Sequence, residues 1–271
     1  MSTILKTIIA HKRKETAERK SLYPVKLLEK SLFFSGQPVS LRNYLQREDQ
    51  EGIIAEFKRR SPSKPQINAY AEAESTTLAY MQAGASALSV LTDEYFFGGK
   101  NADLEAARRV NYCPVLRKDF IVDEYQVIEA KSIGADAILL IAAVLSPAEV
   151  KQLSRLAFSL GMEVLLELHE TKEMDRVVDG IQLAGVNNRN LSDFSVSIDR
   201  SLELASLVPS GCTLVSESGI HSAQQLIELR EAGFSGFLIG EKFMKTTDPG
   251  KACAQFIQEI RQLSNVLISK S

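Results

Sequence analysis

The stretch Ile54-Ala-Glu-Phe-Lys-Arg-Arg-Ser-Pro-Ser-Lys64 decides the fold of this chain. It begins as an apolar strand and ends in a polar loop. Because side chains alternate along a strand, Ile54, Glu56 and Lys58 point to one face. Charged side chains are rarely buried unless they form ion pairs or take part in binding or catalysis. The stretch therefore predicts a core strand that delivers two opposite charges to a site at its carboxyl end.

Eight such apolar runs, each followed by a helical segment, alternate from residue 53 onward. Their spacing of about 20–33 residues suits a strand, a helix and two turns. The pattern predicts a (β/α)8 TIM barrel. The alternative, an open doubly wound sheet, would usually carry a glycine-rich fingerprint after its first strand, and none follows Lys58. The predicted strands are Ile53–Phe57, Ala87–Leu91, Pro114–Leu116, Ala137–Ala142, Val164–Leu168, Leu183–Val186, Cys212–Val215 and Gly236–Ile239.

Residues 3–20 differ from this repeat and predict an amphipathic helix. Its apolar stripe contains Ile4, Ile8 and Ile9. The basic run from His11 to Lys14 is most simply a solvated face of that helix.

The composition is that of an average soluble globular protein, with 271 residues, 45% hydrophobic and 24% charged. We expect one structural domain, in which residues 1–50 form an N-terminal helical extension packed on a barrel of residues 51–271. The net charge of −2 does not favour nucleic acid or membrane partners. Three widely spaced cysteines and a basic N-terminus predict a cytoplasmic protein without disulfides. The three histidines lie in unrelated contexts, which argues against a histidine-based metal site.

The carboxyl ends of the strands carry function in such barrels. Strand parity selects the side chains that point into the mouth. Six charges that converge there are costly to desolvate without a ligand or a reaction, so an active site is a better interpretation than a polar plug. The predicted ring is Glu56, Lys58, Lys118, Glu167, Arg189 and Glu217, together with Asn187.

The loops after the seventh and eighth strands predict a phosphate site. Ser218-Gly219 precedes a helix that Ser222 caps, and Gly240-Glu241 opens a short helical segment. Backbone N–H groups in these two loops form the standard phosphate site of barrels. Each glycine alone could be an ordinary turn residue, but the two loops together favour phosphate.

The strand ends resemble those of the indole-3-glycerol phosphate synthase family. The blocks Glu56-x-Lys-x-x-Ser-Pro-Ser63 and Asn187-x-Arg-x-Leu191 are specific to it, and the match runs in order from residue 53 to residue 245. Pro65 and Lys100 replace the Gly and Ser that are usual in the family, in two lid-like loops. Further matching blocks are Leu91-Thr-Asp93, Phe96-Phe-Gly-Gly99, Leu116–Ile121, Leu166-Glu-Leu-His169, Ser216–Ile220 and Leu238–Glu241.

The resemblance implies a carbon–carbon lyase, a decarboxylase of tryptophan biosynthesis. Its substrate would be 1-(2-carboxyphenylamino)-1-deoxyribulose 5-phosphate, which ring closure, loss of CO2 and loss of water convert into indole-3-glycerol phosphate. No metal or organic cofactor is implied. We expect a small phosphorylated molecule as the binding partner, and a monomer with at most weak self-association.

The resemblance also implies catalytic roles for the ring. Lys118 suits the general acid that polarises the C2 carbonyl. Lys58 and Glu56 would share the acid role in the loss of water. Glu167 would stabilise positive charge on the anilinium and take a proton as the indole forms.

The remaining side chains would bind the substrate. Arg189 and Asn187 would hold the anthranilate carboxylate or the sugar hydroxyls, and Phe97 and Phe120 would wall the benzene ring. Glu217 completes the substrate-binding set, and the phosphate would lie on Ser218, Gly219, Gly240 and Glu241, helped by Ser61.

Two other functions are compatible with a barrel of this kind. A sugar-phosphate isomerase or a Schiff-base aldolase is one, and an aldolase would use Lys58 or Lys118 as an amine nucleophile. The other is a non-catalytic phosphate-ligand sensor, which would be expected to lack one or more of Glu56, Lys118 and Glu167, and all three are present.

Overall fold

A closed barrel of eight parallel strands forms the centre of the protein, whose computed structural model describes residues 3–190 and 194–268. Each strand pairs with the next along the chain, and β8 pairs with β1. This confirms the (β/α)8 barrel and excludes the open sheet. The strands are β1 Ile53–Phe57, β2 Ala87–Leu91, β3 Val115–Lys118, β4 Ala137–Ile141, β5 Glu163–Leu168, β6 Leu183–Asn187, β7 Thr213–Glu217 and β8 Phe234–Ile239.

Helices cover the outside of the barrel and precede its first strand. The connection from β5 to β6 is an exception to the predicted repeat, because the 3₁₀ segment Thr171–Arg176 stands there in place of an α-helix. The helices are α1 Thr3–Leu22, α2 Val25–Leu28, α3 Leu41–Leu45, α4 Ala73–Gln82, α5 Asn101–Val110, α6 Glu124–Ser132, α7 Pro147–Ser159, α8 Asp199–Ala205, α9 Ala223–Glu231, α10 Glu241–Met244 and α11 Pro249–Ile268.

Three strands extend beyond the carboxyl ends of their predicted apolar runs, and two of them, β3 and β7, end at a charged residue. β3 continues to Lys118 and β7 continues to Glu217, whereas the predicted runs stopped at Leu116 and Val215. The additional residues keep the strand alternation but carry the charges of the barrel mouth. A criterion based on apolar residues therefore ended these strands too early.

The interior of the barrel is apolar below that charged mouth. Inward side chains such as Ile54, Leu165 and Val215 form one buried cluster. Leu41 and Leu45 of α3 join this cluster, and a Cβ at Gly236 would lie 2.9 Å from Leu45. The short helix α3 thus closes the lower end of the barrel, while a second, larger cluster fills the layer between strands and outer helices.

Helix α1 packs against the barrel through Leu5, Ile8 and Ile9, which are buried. The expectation of a solvated basic face is wrong for Lys12, whose side chain is only 2% exposed and forms ion pairs with carboxylates of the barrel loops. The flanking Arg13 and Lys14 are exposed as expected. No helix within the described residues is sufficiently long and apolar to cross a membrane.

Candidate active site

A cavity of about 390 Å³ opens at the carboxyl ends of the strands. Its wall contains thirteen of the fourteen predicted site residues, and only Glu217 is not part of it. The structure therefore brings the predicted residues together, although their roles remain predictions. The thirteen are Glu56, Lys58, Ser61, Phe97, Lys118, Phe120, Glu167, Asn187, Arg189, Ser218, Gly219, Gly240 and Glu241.

Lys118 lies between two carboxylates at the floor of the cavity. Its Nζ is 3.1 Å from Glu167 Oε2 and 2.9 Å from Glu217 Oε2. Burial alone would lower the pKa of Lys118, but the two carboxylates outweigh burial and raise it. The ammonium form therefore persists at neutral pH, which leaves Lys118 as a cationic hydrogen-bond donor and disfavours an amine nucleophile.

The two carboxylates differ in environment. Burial would raise the pKa of Glu167, yet Lys118 and then His169 outweigh it and lower that pKa to about 2. Burial raises the pKa of Glu217 more than Lys118 lowers it, and the charge of Glu167 adds to the rise. Glu167 is therefore an ionised acceptor at the cavity wall, whereas Glu217 binds a proton more readily.

Glu217 lies behind Lys118 and not on the cavity wall. Its side chain is 1% exposed, and its Oε1 has no hydrogen-bond partner among the described residues. A Cβ at Gly185 on the neighbouring strand β6 would lie 2.3 Å from that oxygen. The substrate contact expected for Glu217 stays a prediction, and the carboxylate fills the space that a side chain at residue 185 would need.

Glu56 and Lys58 form a second acid–base pair on β1 and the loop that follows it. Lys58 donates to Glu56 Oε1 at 2.5 Å. Glu56 also occupies space next to a glycine, since a Cβ at Gly240 would lie 2.6 Å from the same oxygen. Strand parity placed this pair correctly, but the requirement for Gly240 depends on the pairing of β1 with β8.

A chain of charges crosses the cavity mouth above this pair. Lys64 Nζ, in the loop after β1, is 2.5 Å from Glu241 Oε1 at the start of α10. Arg189 Nη2 lies 3.8 Å from the other oxygen of Glu241, and the Arg189 N–H donates to Asn187 Oδ1. Burial would raise the pKa of Glu241, but Lys64 and Arg189 lower it. The carboxylate of Glu241 thus links the loops after β1, β6 and β8.

The loop after β7 has an unusual backbone at the predicted phosphate site. Ser218 has φ 68° and Gly219 has φ 76°, and a Cβ at residue 219 would lie 2.4 Å from Val196. Asn188 fixes this loop, because its Nδ2 donates to Ser218 O and to Ser216 Oγ. Sequence reasoning gave Asn188 no role. Because Asn188 follows the cavity-lining Asn187, its side chain points to the outward face. There it holds the loop and does not line the cavity.

Apolar side chains form another part of the cavity wall. The ring centroids of Phe97 and Phe120 lie 5.8 Å apart, with the ring planes tilted by 41°. Ile4, Leu5 and Ile8 of α1 also line the cavity, which the sequence did not predict. The apolar stripe of α1 was a visible signal, but periodicity does not tell whether a stripe faces a core or a site.

His169 lies beside Glu167 of the cavity wall. Its Nε2 lies 3.3 Å from Glu167 Oε1, and its backbone N–H donates to Glu173 Oε2 at 2.7 Å. His169 is part of the Leu166-Glu-Leu-His169 block that resembles the family, but the sequence predicted no role for it. Of the Asn187–Leu191 block, Leu191 lies outside the described residues.

Comparisons with known proteins agree on one family. The family model "Indole-3-glycerol phosphate synthase" matches residues 5–256. The protein of that name from Bacteroides thetaiotaomicron is 46% identical over 261 residues, which cover 96% of this chain and 100% of that protein. The one from Polaromonas sp. is 45% identical over 259 residues, or 94% and 98% of the two chains. A solved structure described as native KDPGal has a TM-score of 0.56 at 16% identity over 80% of this chain and 96% of its own, a likeness of fold alone.

Proposed function

The chain belongs to the indole-3-glycerol phosphate synthase family, and we propose that it converts 1-(2-carboxyphenylamino)-1-deoxyribulose 5-phosphate into indole-3-glycerol phosphate, CO2 and water. The observation that carries the proposal is the ammonium of Lys118, held between Glu167 and Glu217 at the floor of a cavity with one aromatic wall. The reaction needs a proton donor, a proton acceptor and an apolar surface for the benzene ring. Lys118, Glu167 and the aromatic wall supply them.

Ring closure comes first. Lys118 donates a proton to the C2 carbonyl oxygen as the ring carbon that bears the carboxylate bonds to C2. Positive charge develops on the nitrogen, where the ionised Glu167 stabilises it. The C–CO2 bond then breaks, and its electron pair restores the aromatic ring as CO2 leaves.

Loss of water completes the indole. The C2 hydroxyl leaves as water after it receives a proton from the Lys58–Glu56 pair, while the nitrogen lone pair compensates the departing charge. Glu167 then takes a proton from C1, and the remaining electron pair forms the C1–C2 double bond. Two lysines and two carboxylates thus account for both steps.

The other cavity residues hold the substrate. Phe97 and Phe120 form the apolar wall for the benzene ring, while Arg189 and Asn187 bind the carboxylate or the sugar hydroxyls. The phosphate group binds the loops after β7 and β8 through Ser218, Gly219, Gly240 and Glu241, helped by Ser61.

The protein acts as a monomer in the cytoplasm, with residues 1–50 and the barrel in one structural domain. Support for the last point is the packing of Leu41 and Leu45 into the barrel interior. The free thiols of Cys113, Cys212 and Cys253 are consistent with a reducing compartment.

Absorbance and fluorescence test the activity directly. The chain contains no Trp, so indole formed from the substrate appears over a low protein background. We expect the folded protein to produce that signal and the heat-unfolded protein to produce none. Folded protein that yields no indole contradicts the proposed function, and a covalent adduct trapped by borohydride would favour the aldolase instead.

A further inference from the structure

Lys12 of α1 is buried against the loops that follow β2 and β3. Its Nζ lies 2.9 Å from Asp93 Oδ2 and 3.0 Å from Asp119 Oδ1, and both carboxylates are almost inaccessible to solvent. Glu15, one turn along the same helix, is also 2.9 Å away. Burying an ammonium ion is energetically unfavourable, and at this site three carboxylates offset the desolvation penalty.

Each of the two loop carboxylates also holds the backbone of an aromatic residue. Asp93 Oδ1 accepts from the N–H groups of Phe96 and Phe97 at 2.8 and 3.2 Å. Asp119 Oδ1 accepts from the N–H of Phe120 at 2.8 Å. Lys12 therefore joins two carboxylates that orient Phe97 and Phe120, the aromatic wall of the cavity.

The same contact fixes α1 itself. Ile8 lies one helical turn before Lys12 and lines the cavity. His11 packs on the β2 loop, with its ring centroid 4.5 Å from that of Tyr95 and 5.6 Å from that of Phe96. The aromatic wall, the helix and the two loops thus meet at one buried ammonium.

We propose that Lys12 is a positioning residue that holds Phe97 and Phe120 together as the wall against which the aromatic ring of the substrate packs. This inference rests on the proposed function, because it assigns a substrate ring to the wall that the two phenylalanines form. Lys12 touches neither the cavity nor the reacting atoms, and it acts through Asp93 and Asp119.

The competing explanation is that Lys12 only neutralises two buried carboxylates. A neutralising residue would affect stability without any specific effect on substrate binding. The Lys12→Met variant, with Lys14→Met as control, separates the two, since Lys14 lies on the same helix, is 79% exposed and forms an ion pair with Glu18 at 3.9 Å.

Steady-state kinetics of folded protein gives the first readout. We expect Lys12→Met to raise KM about tenfold while kcat changes much less, because a displaced wall weakens ring binding. Lys14→Met should match the unsubstituted protein. Unsubstituted protein without activity would contradict the proposed function, whereas an active Lys12→Met variant with unaltered KM would overturn only this inference.

A fluorescence readout is independent of activity. Because the chain has no Trp, a Phe97→Trp substitution places a single indole reporter in the wall. Adding Lys12→Met should lower the anisotropy of that indole and shift its emission to the red, and adding Lys14→Met should not. Equal anisotropy in the two backgrounds contradicts the proposed role.

The Lys12→Met variant could also fail to fold, since it leaves two carboxylates with less compensation. Lys12→Met/Asp93→Asn removes one of these charges and retains the Oδ1 acceptor for the Phe96 and Phe97 N–H groups. We expect this folded variant to keep the raised KM and the mobile reporter. A double variant with unaltered KM and anisotropy would show that charge neutralisation was the whole role of Lys12.

Discussion

The ammonium of Lys118 lies 2.9 Å from a carboxylate oxygen of Glu217, a residue that does not reach the cavity. The proton donor is therefore oriented from behind by one acid and from the side by another, Glu167. An ammonium held by two carboxylates at fixed distances has little freedom to reorient, so its position relative to the C2 carbonyl is set before substrate binds.

Replacing Lys118 by Met should abolish ring closure. We expect the rate of indole formation to fall by about 10²- to 10⁴-fold, the range typical of a lost general acid. The control is the exposed Lys151→Met on α7, for which the indole rate should be unaltered. A Lys118→Met variant that closes the ring at the original rate would exclude Lys118 as the first acid.

Replacing Glu217 by Gln should affect kcat more than KM. The substitution removes one of the two acids that orient Lys118 but leaves the cavity wall intact, so we expect kcat to fall about tenfold with little change in KM. Steady-state kinetics measures both constants, with the exposed Glu203→Gln as control. A raised KM at constant kcat would instead indicate direct substrate contact by Glu217.

Gly185→Ala should destabilise the fold through Glu217. An added Cβ would lie 2.3 Å from Glu217 Oε1, and we expect a loss of about 1–3 kcal/mol in the free energy of unfolding, as is usual for overpacking. Urea denaturation of Gly185→Ala, Glu217→Ala and the double variant completes a cycle. The cost of Gly185→Ala should largely vanish in the Glu217→Ala background, and full additivity of the two costs would contradict the steric explanation.

Stability should fall at acid pH through Asp119. Burial alone would raise its pKa, but Lys12 and Arg117 outweigh burial and hold the pKa well below the usual value of 3.8. A depressed folded-state pKa gives stability that is present above the unfolded value and is lost as the pH falls through the folded one. We therefore expect the free energy of unfolding to decline below about pH 4.

Urea denaturation at several pH values tests this dependence. Asp119→Asn should be less stable by about 3 kcal/mol at pH 7, because it breaks a buried ion pair. The loss of stability between pH 4 and pH 2 should also be smaller than in the unsubstituted protein. The exposed Asp179→Asn serves as control, and an acid dependence that Asp119→Asn leaves unaltered would contradict the assignment.

The ion pair of Lys64 with Glu241 should matter for binding more than for stability. Both side chains are partly exposed, so Lys64→Met should change the free energy of unfolding by less than about 1 kcal/mol. The loop after β1 loses its link to α10, and we expect KM to rise several-fold. Lys151→Met is again the control, and an unaltered KM would show that this link does not order the loop.

Strand alternation predicted the cavity because it is a local rule. Glu56, Lys118, Glu167 and Asn187 needed only their own strands to reach the mouth. The depth of Glu217 also depends on the register between β6 and β7, which places Gly185 beside Val215 and leaves room for a carboxylate. The register between two strands cannot be predicted from the residue pattern of either strand alone.

The N-terminal helix shows the other limit of sequence reasoning. A basic run looks the same whether it faces solvent or a pair of carboxylates, and the partners of Lys12 lie far along the chain, at Asp93 and Asp119. The position of Leu5 and Ile8 in the cavity wall could not be predicted for the same reason, because it depends on where α1 crosses the barrel. Long-range docking, and not local propensity, decided these positions.

The floor of the barrel has a consequence for the order of synthesis. Helix α3 leaves the ribosome before any strand, whereas Gly236, against which Leu45 packs, is among the last strand residues to be made. Contacts between such distant positions form late, so we expect Leu41 and Leu45 to remain accessible to other chains until the eighth strand closes the sheet. A helix made before the first strand thus completes its packing only after the last strand is made.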